Sequence, residues 1–137
     1  MKKILVPGLI AGAAMLVVSM IVGQLFHLAF PSLLAEYQNE ALFRPWSDPL
    51  MNIYWAQPFI LGLILAWIWD MTKSLVAGGN ACVRGCRFGA IYWAITIPGM
   101  VISYASFPLS LLLVASWTVS ILAQALAAGY ILALMNK

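Results

Sequence analysis

Charge is scarce in this chain. Seven Lys and Arg and four Asp and Glu stand among 137 residues, 8% charged, where a soluble domain carries about 25%. That excludes an ordinary soluble fold. Histidine occurs once and cysteine twice. His27 has no Cys, His or carboxylate at ligand spacing, so no metal site and no cofactor are expected. No H-E-x-x-H, G-x-S-x-G, Gly-rich phosphate loop or intramembrane Ser/Lys pair occurs. The net charge of +3 does not point to nucleic acid, because the basic residues form no patch and mark helix ends. No Asp, Glu, Lys or Arg lies deep inside an apolar run. Such residues mark ion paths and proton relays, and their absence weakens proton-coupled transport and acid–base catalysis together.

What the chain has is apolar length. Hydrophobic residues make up 64% of it. Three stretches lack formal charge: Ile4 to Phe30, Pro49 to Trp69 and Phe88 to Asn136. A bilayer core of about 30 Å takes about 20 apolar residues in a helix. The first two stretches each cross once. The third would be roughly 73 Å long at 1.5 Å per residue, so it must turn back. Four spans follow, in one membrane domain with no soluble module. Lys2 and Lys3 before an apolar run imitate a secretory signal. Such a signal's apolar region is about 7–15 residues, and no A-x-A cleavage site follows this longer run, so it reads as a retained span.

The expected fold is therefore all-α, a polytopic four-transmembrane-helix bundle. The first span covers about 4–30 and ends at Pro31. An outer loop, 31–48, holds a short interfacial helix over Ser32 to Phe43, capped by Ser32, with Leu33, Leu34, Tyr37 and Ala41 on one face. The second span covers about 49–74, with Asp48 as N-cap, Pro49 at the first helical position and Pro58 as a kink. The third covers about 82–105, with a second kink at Pro98-Gly99. Ser106 is the expected cap for the fourth, about 108–135, with Pro108 in its first turn.

Orientation follows from Lys and Arg. Lys2, Lys3, Lys73, Arg84, Arg87 and Lys137 lie on one side of this arrangement, and Arg44 on the other. Positive residues stay in the cytoplasm. The chain is thus expected in the cytoplasmic (inner) membrane with both termini cytoplasmic. Trp46, Tyr54, Trp55, Tyr104 and Phe107 mark the outer boundary, and Trp67 and Trp69 the inner one.

Three constellations are candidates for function. Gln24, His27, Gln57 and Tyr104 reach a similar outer depth and can line a polar pocket, with Glu36 or Asp48 folding over it. The plainer reading sets His27 at the headgroup level, bonded to Gln24 or to a loop carbonyl. Ser116, Ser120 and Gln124 recur at i, i+4, i+8, a polar stripe that suits either a pore or interhelix packing. Gly8-x3-Gly12, Gly85-x3-Gly89 and Ala125-x3-Gly129 let backbones approach closely, within one copy or between copies. Cys82 and Cys86 share a helix face on the reducing side, where ordinary free thiols are expected.

The stretch Ala35-Glu36-Tyr37-Gln38-Asn39-Glu40-Ala41-Leu42-Phe43-Arg44-Pro45-Trp46-Ser47-Asp48-Pro49, with Ser106-Phe107-Pro108-Leu109-Ser110, resembles small four-span prokaryotic integral membrane proteins of unassigned function. The resemblance implies a four-span shape and carries no catalytic residue. The expected role is non-catalytic: an accessory, scaffold or binding subunit in the lipid bilayer that associates with itself or with another membrane protein. The alternative is a small homo-oligomeric channel or transporter, its pore between protomers and lined by the Ser116 stripe. A membrane enzyme with an outward-facing pocket at His27 ranks third.

Overall fold

A computed structural model of the chain describes residues 2–137. Five α-helices follow one another: α1 (Lys2–Ala29), α2 (Ser32–Tyr37), α3 (Asn52–Thr72), α4 (Ala81–Ser106) and α5 (Leu111–Met135). A 3-10 turn, Pro49–Met51, leads into α3. Four of the helices are long and apolar enough to cross a bilayer. The chain is a multi-pass membrane protein. Backbone groups in hydrocarbon must be satisfied within the segment, which is why each of the four spans is a continuous helix. The helices continue unbroken through Pro7, Pro58 and Pro98.

α1 and α5 pack against each other at the centre of the bundle. α3 lies along α1, and α4 lies along α5. Burying apolar side chains drives nothing in lipid, so close backbone approach must hold these pairs together. A Cβ added at Gly12 would stand 2.7 Å from the Phe59 Cα, and one at Gly8 would stand 2.9 Å from the Leu63 Cα. Gly62 faces both glycines from α3 and closes that seam. Gly85 and Gly89 of α4 meet Gly129 and Ala125 of α5 in the same way, and a Cβ at Gly85 would stand 2.5 Å from the Gly129 carbonyl oxygen. The small-x3-small pairs are thus used inside one copy. The Trp93 indole N–H adds a bond across the α4–α5 seam to the Thr118 carbonyl, 2.9 Å.

The two ends of the bundle differ. At the end that bears the termini, Ala11, Met15, Leu65, Ala66, Trp69, Phe88, Ala128, Leu132 and Ala133 form a solid core. Trp69 is fully buried. Its ring meets Phe88 edge-on at 5.2 Å, and the Arg84 guanidinium lies 5.3 Å from its ring centre. The indole N–H donates to the Asn136 carbonyl, 2.7 Å. The Asn136 side chain donates to Asp70 Oδ1 (2.9 Å) and to the Lys3 carbonyl (3.3 Å), and accepts from Lys73 Nζ (2.6 Å). This residue ties the last helix to α1 and α3. Arg84 and Arg87 donate to the carbonyls of Lys73, Val76 and Ala77 and fix the connection between α3 and α4.

At the other end the helices are looser, and the 30–48 loop covers them. Four local expectations are corrected here. The interfacial helix stops at Tyr37 instead of Phe43, because the Asn39 side chain accepts from Ala41 N (3.0 Å) and turns the chain. Ser32 is not its cap. Leu33 N and Leu34 N bond back to the Phe30 and Pro31 carbonyls, so α2 starts directly off the end of α1. Ser106 is the last residue of α4, and Ser110 caps α5 through Leu113 N, 3.1 Å. Pro108 forces Phe107 into an extended conformation, which delays the new helix past Leu109. Trp69 is also no interfacial aromatic, because it belongs to the core. Asp48 caps as its position beside Pro49 implies, accepting from Leu50 N at 2.9 Å.

Candidate functional site: a cavity beneath the loop

The loop-bearing half of the bundle is hollow. A cavity of about 920 Å³ lies among α1, α3, α4 and α5, roofed by α2 and the loop that follows it. Met15, Leu61, Tyr92 and Gln124 mark its deepest level. Val22, Phe26, Met100 and Ile121 give it apolar walls.

The polar stripe of α5 faces this space. Ser116, Ser120 and Gln124 all line it. Ser116 is 5% exposed and donates to the Leu113 carbonyl, 2.7 Å. Gln124 donates one amide hydrogen to Ser120 Oγ, 3.1 Å. Its carbonyl oxygen has no partner among the described residues. Gln57 lines the cavity from α3 as an exposed residue, and its amide makes no hydrogen bond among the described residues. Ser19 lines the α1 wall, its hydroxyl bonded to the Leu16 carbonyl at 2.7 Å. An amide in hydrocarbon without a hydrogen bond costs several kcal/mol. Gln57 and Gln124 escape that cost because they open on a cavity that can admit water or a polar ligand group.

His27 stands at the top of the cavity. Its ring meets Tyr37 edge-on at 5.5 Å, and neither Gln24 nor a loop carbonyl bonds it among the described residues. The Tyr37 hydroxyl accepts the Trp117 indole N–H. Burial pushes the Tyr37 hydroxyl above its ordinary titration range, so it stays neutral. Phe43 packs on both Tyr37 (5.4 Å) and Trp117 (6.1 Å). This aromatic group fastens the roof to α5.

The other residues of the expected outer pocket lie elsewhere. Glu36 accepts from Ser110 N (2.8 Å) and from the Ser110 hydroxyl (2.6 Å), which clamps α2 onto the start of α5. Asp48 pairs with Arg44 at 2.8 Å and caps the turn before α3. The Leu50 N–H and then the Arg44 guanidinium hold the Asp48 carboxyl below its usual range. Gln24 is exposed on the outer face of α1, and Tyr104 is exposed at the end of α4. Neither lines the cavity. Ser19, Tyr37, Tyr92 and Trp117 do line it, and the sequence singled out none of them for this role. Tyr37 carried a partial signal, since it lies on the apolar face of the interfacial helix.

The cavity's titratable content is small. Glu40 and Arg44 are the charged lining residues, and both belong to the loop. No group of three or more His, Cys, Asp or Glu positioned to hold a metal ion occurs among the described residues. Cys82 and Cys86 are free thiols at the other end of the bundle. Comparison with protein-family models, curated proteins and solved structures found no match.

Proposed function

We propose that this chain is a non-catalytic binding protein of the cytoplasmic membrane, with both termini inside the cell and the cavity opening on the outer half of the bilayer. One observation carries the reading. A single copy has one half packed solid and the other half hollow, and the hollow half bears uncharged hydrogen-bonding groups on apolar walls. That mixture is what a small-molecule site requires. An acid–base site would need a carboxylate, histidine or lysine deep in the cavity, and the lining residues of those kinds stand at the rim. A pore between copies would need Ser116, Ser120 and Gln124 on the lipid-facing surface. Their position inside one copy supports binding over conduction.

The orientation is supported by the six basic residues at the terminal end against Arg44 at the other. Cys82, exposed in the first turn of α4, tests it directly. A membrane-impermeant maleimide should label Cys82 in inverted vesicles and leave it unlabelled in intact spheroplasts. The reverse pattern overturns the orientation.

The binding reading is tested by purification in mild detergent followed by native mass spectrometry. The expected result is a non-protein mass retained at one per chain. A ligand-free chain that takes up nothing from a total lipid extract overturns it.

A further inference from the structure

The cavity has a side opening. α3 and α4 form its flanks but have no packed seam of their own. They touch through Trp69 and Phe88, near the terminal end. Towards the loop end, α3 contributes Tyr54, Gln57 and Leu61 to the cavity wall, and α4 contributes Tyr92 and Met100. The surfaces beside this gap are aliphatic, with Ile60, Ile64 and Ile95 each exposed. In a bilayer the gap therefore opens on hydrocarbon. A ligand can reach the cavity sideways, from the lipid, without displacing the roof.

The depth of the polar groups limits what that ligand is. Gln124 lies roughly 20 Å along α5 from Leu111, and Gln57 roughly 12 Å along the chain from Pro49. Both amides have hydrogen-bonding capacity that no described side chain uses. Among the described residues no charged side chain accompanies them at that depth. A phosphate or carboxylate brought there would lose its water and meet no counter-charge, at several kcal/mol. Arg44 could meet an anion only at the rim, where it already pairs with Asp48. A hydroxyl, ester or amide head has no such penalty and satisfies the free amides.

Resting on the binding reading above, we propose that the cavity takes an uncharged single-chain lipid. Its hydroxyl, ester or amide head lies against Gln57, Ser120 and Gln124, and its hydrocarbon chain leaves through the gap between α3 and α4.

The test uses the full chain in phosphatidylcholine vesicles and two photoactivatable probes with the same diazirine-bearing chain. One is a monoacylglycerol and the other is the fatty acid, kept ionised. Cross-linked residues are mapped by peptide mass spectrometry. The monoacylglycerol should label Leu61, Tyr92 or Met100, and the fatty acid should label them about tenfold less. Unlabelled monoacylglycerol should suppress the signal in the unaltered protein. Gln57→Leu with Gln124→Leu should reduce it about tenfold, the equivalent of one to two lost hydrogen bonds. The competition experiment holds whether or not that double variant folds. Equal or stronger cavity labelling by the fatty acid overturns the ligand class and leaves the binding reading standing. Labelling confined to lipid-facing positions away from the gap, such as Ile21 and Leu25 of α1, by both probes overturns the proposal. If purified protein still retains a small molecule in that case, binding survives and its ligand is not a lipid of this kind.

Discussion

Replacing Gly62 by alanine tests whether glycine contact holds α1 and α3 together. A Cβ at this position would stand 2.7 Å from the Gly12 nitrogen and 2.9 Å from the Gly12 Cα, and nearer still to the Gly8 carbonyl oxygen. All three obstacles are backbone atoms of the facing helix, and no side chain can swing aside. Carbon contacts are comfortable at about 3.5–4.0 Å, so the helices must part by about 1 Å. Overpacking of this kind costs about 1–3 kcal/mol, and alanine's better helix propensity returns about 0.5–1 kcal/mol. Gly62→Ala should therefore destabilise by up to about 2.5 kcal/mol, with about 1 kcal/mol at the middle of the range. Gly99→Ala is the control. A Cβ there meets nothing within 4 Å, so propensity alone acts and the variant should gain about 0.5–1 kcal/mol. Unfolding by sodium dodecyl sulfate in mixed micelles, followed by circular dichroism, reads both. If the two variants unfold at the same detergent fraction, the seam does not depend on glycine and the packing argument fails.

Asn136→Ala removes three side-chain hydrogen bonds, to Asp70, Lys3 and Lys73, and should cost about 2–3 kcal/mol in the same titration; an unchanged midpoint would mean that Asn136 ties nothing together. Glu36→Gln weakens the clamp on Ser110, and amide exchange across Leu33 to Tyr37 should quicken about tenfold while α3 and α4 exchange as before. The Asp48 carboxyl is held below its ordinary range. Its cap is therefore complete at neutral pH and is lost only as acidification protonates it in the folded state. The protection factor of the Leu50 amide, its exchange relative to the intrinsic rate, should fall on that acid limb, and Asp48→Ala should show the low value at every pH.

The spans were legible because lipid imposes length and apolarity on any crossing helix, and the long run from Phe88 cannot cross once. Helix ends were less so. Whether Ser106 or Ser110 caps the last helix depends on Glu36, which lies far away in the chain, and on the extended backbone before Pro108. The period of Ser116, Ser120 and Gln124 put them on one face. What that face meets depends on how α1, α3 and α4 stand around α5, and no local pattern encodes that. Glu36 and Asp48 look like pocket residues when only their depth is counted. Hydrogen bonds divert both to structural duties, Glu36 to Ser110 across the fold and Asp48 to its neighbours Arg44 and Leu50. Trp69 shares the composition of an interfacial tryptophan, and only the proximity of Asn136 and Phe88 makes it a core residue.

The glycine contacts also bear on how the chain is made. They staple α1 to α3 and α4 to α5, leaving the Ala11, Met15, Ala128 and Leu132 surface to join the two hairpins. The seam between α1 and α3 is complete before the second hairpin leaves the ribosome. Biogenesis can then run as two separate insertions followed by docking, and a gene cut at the codons for Gly78 and Gly79 should yield halves that find each other in the bilayer.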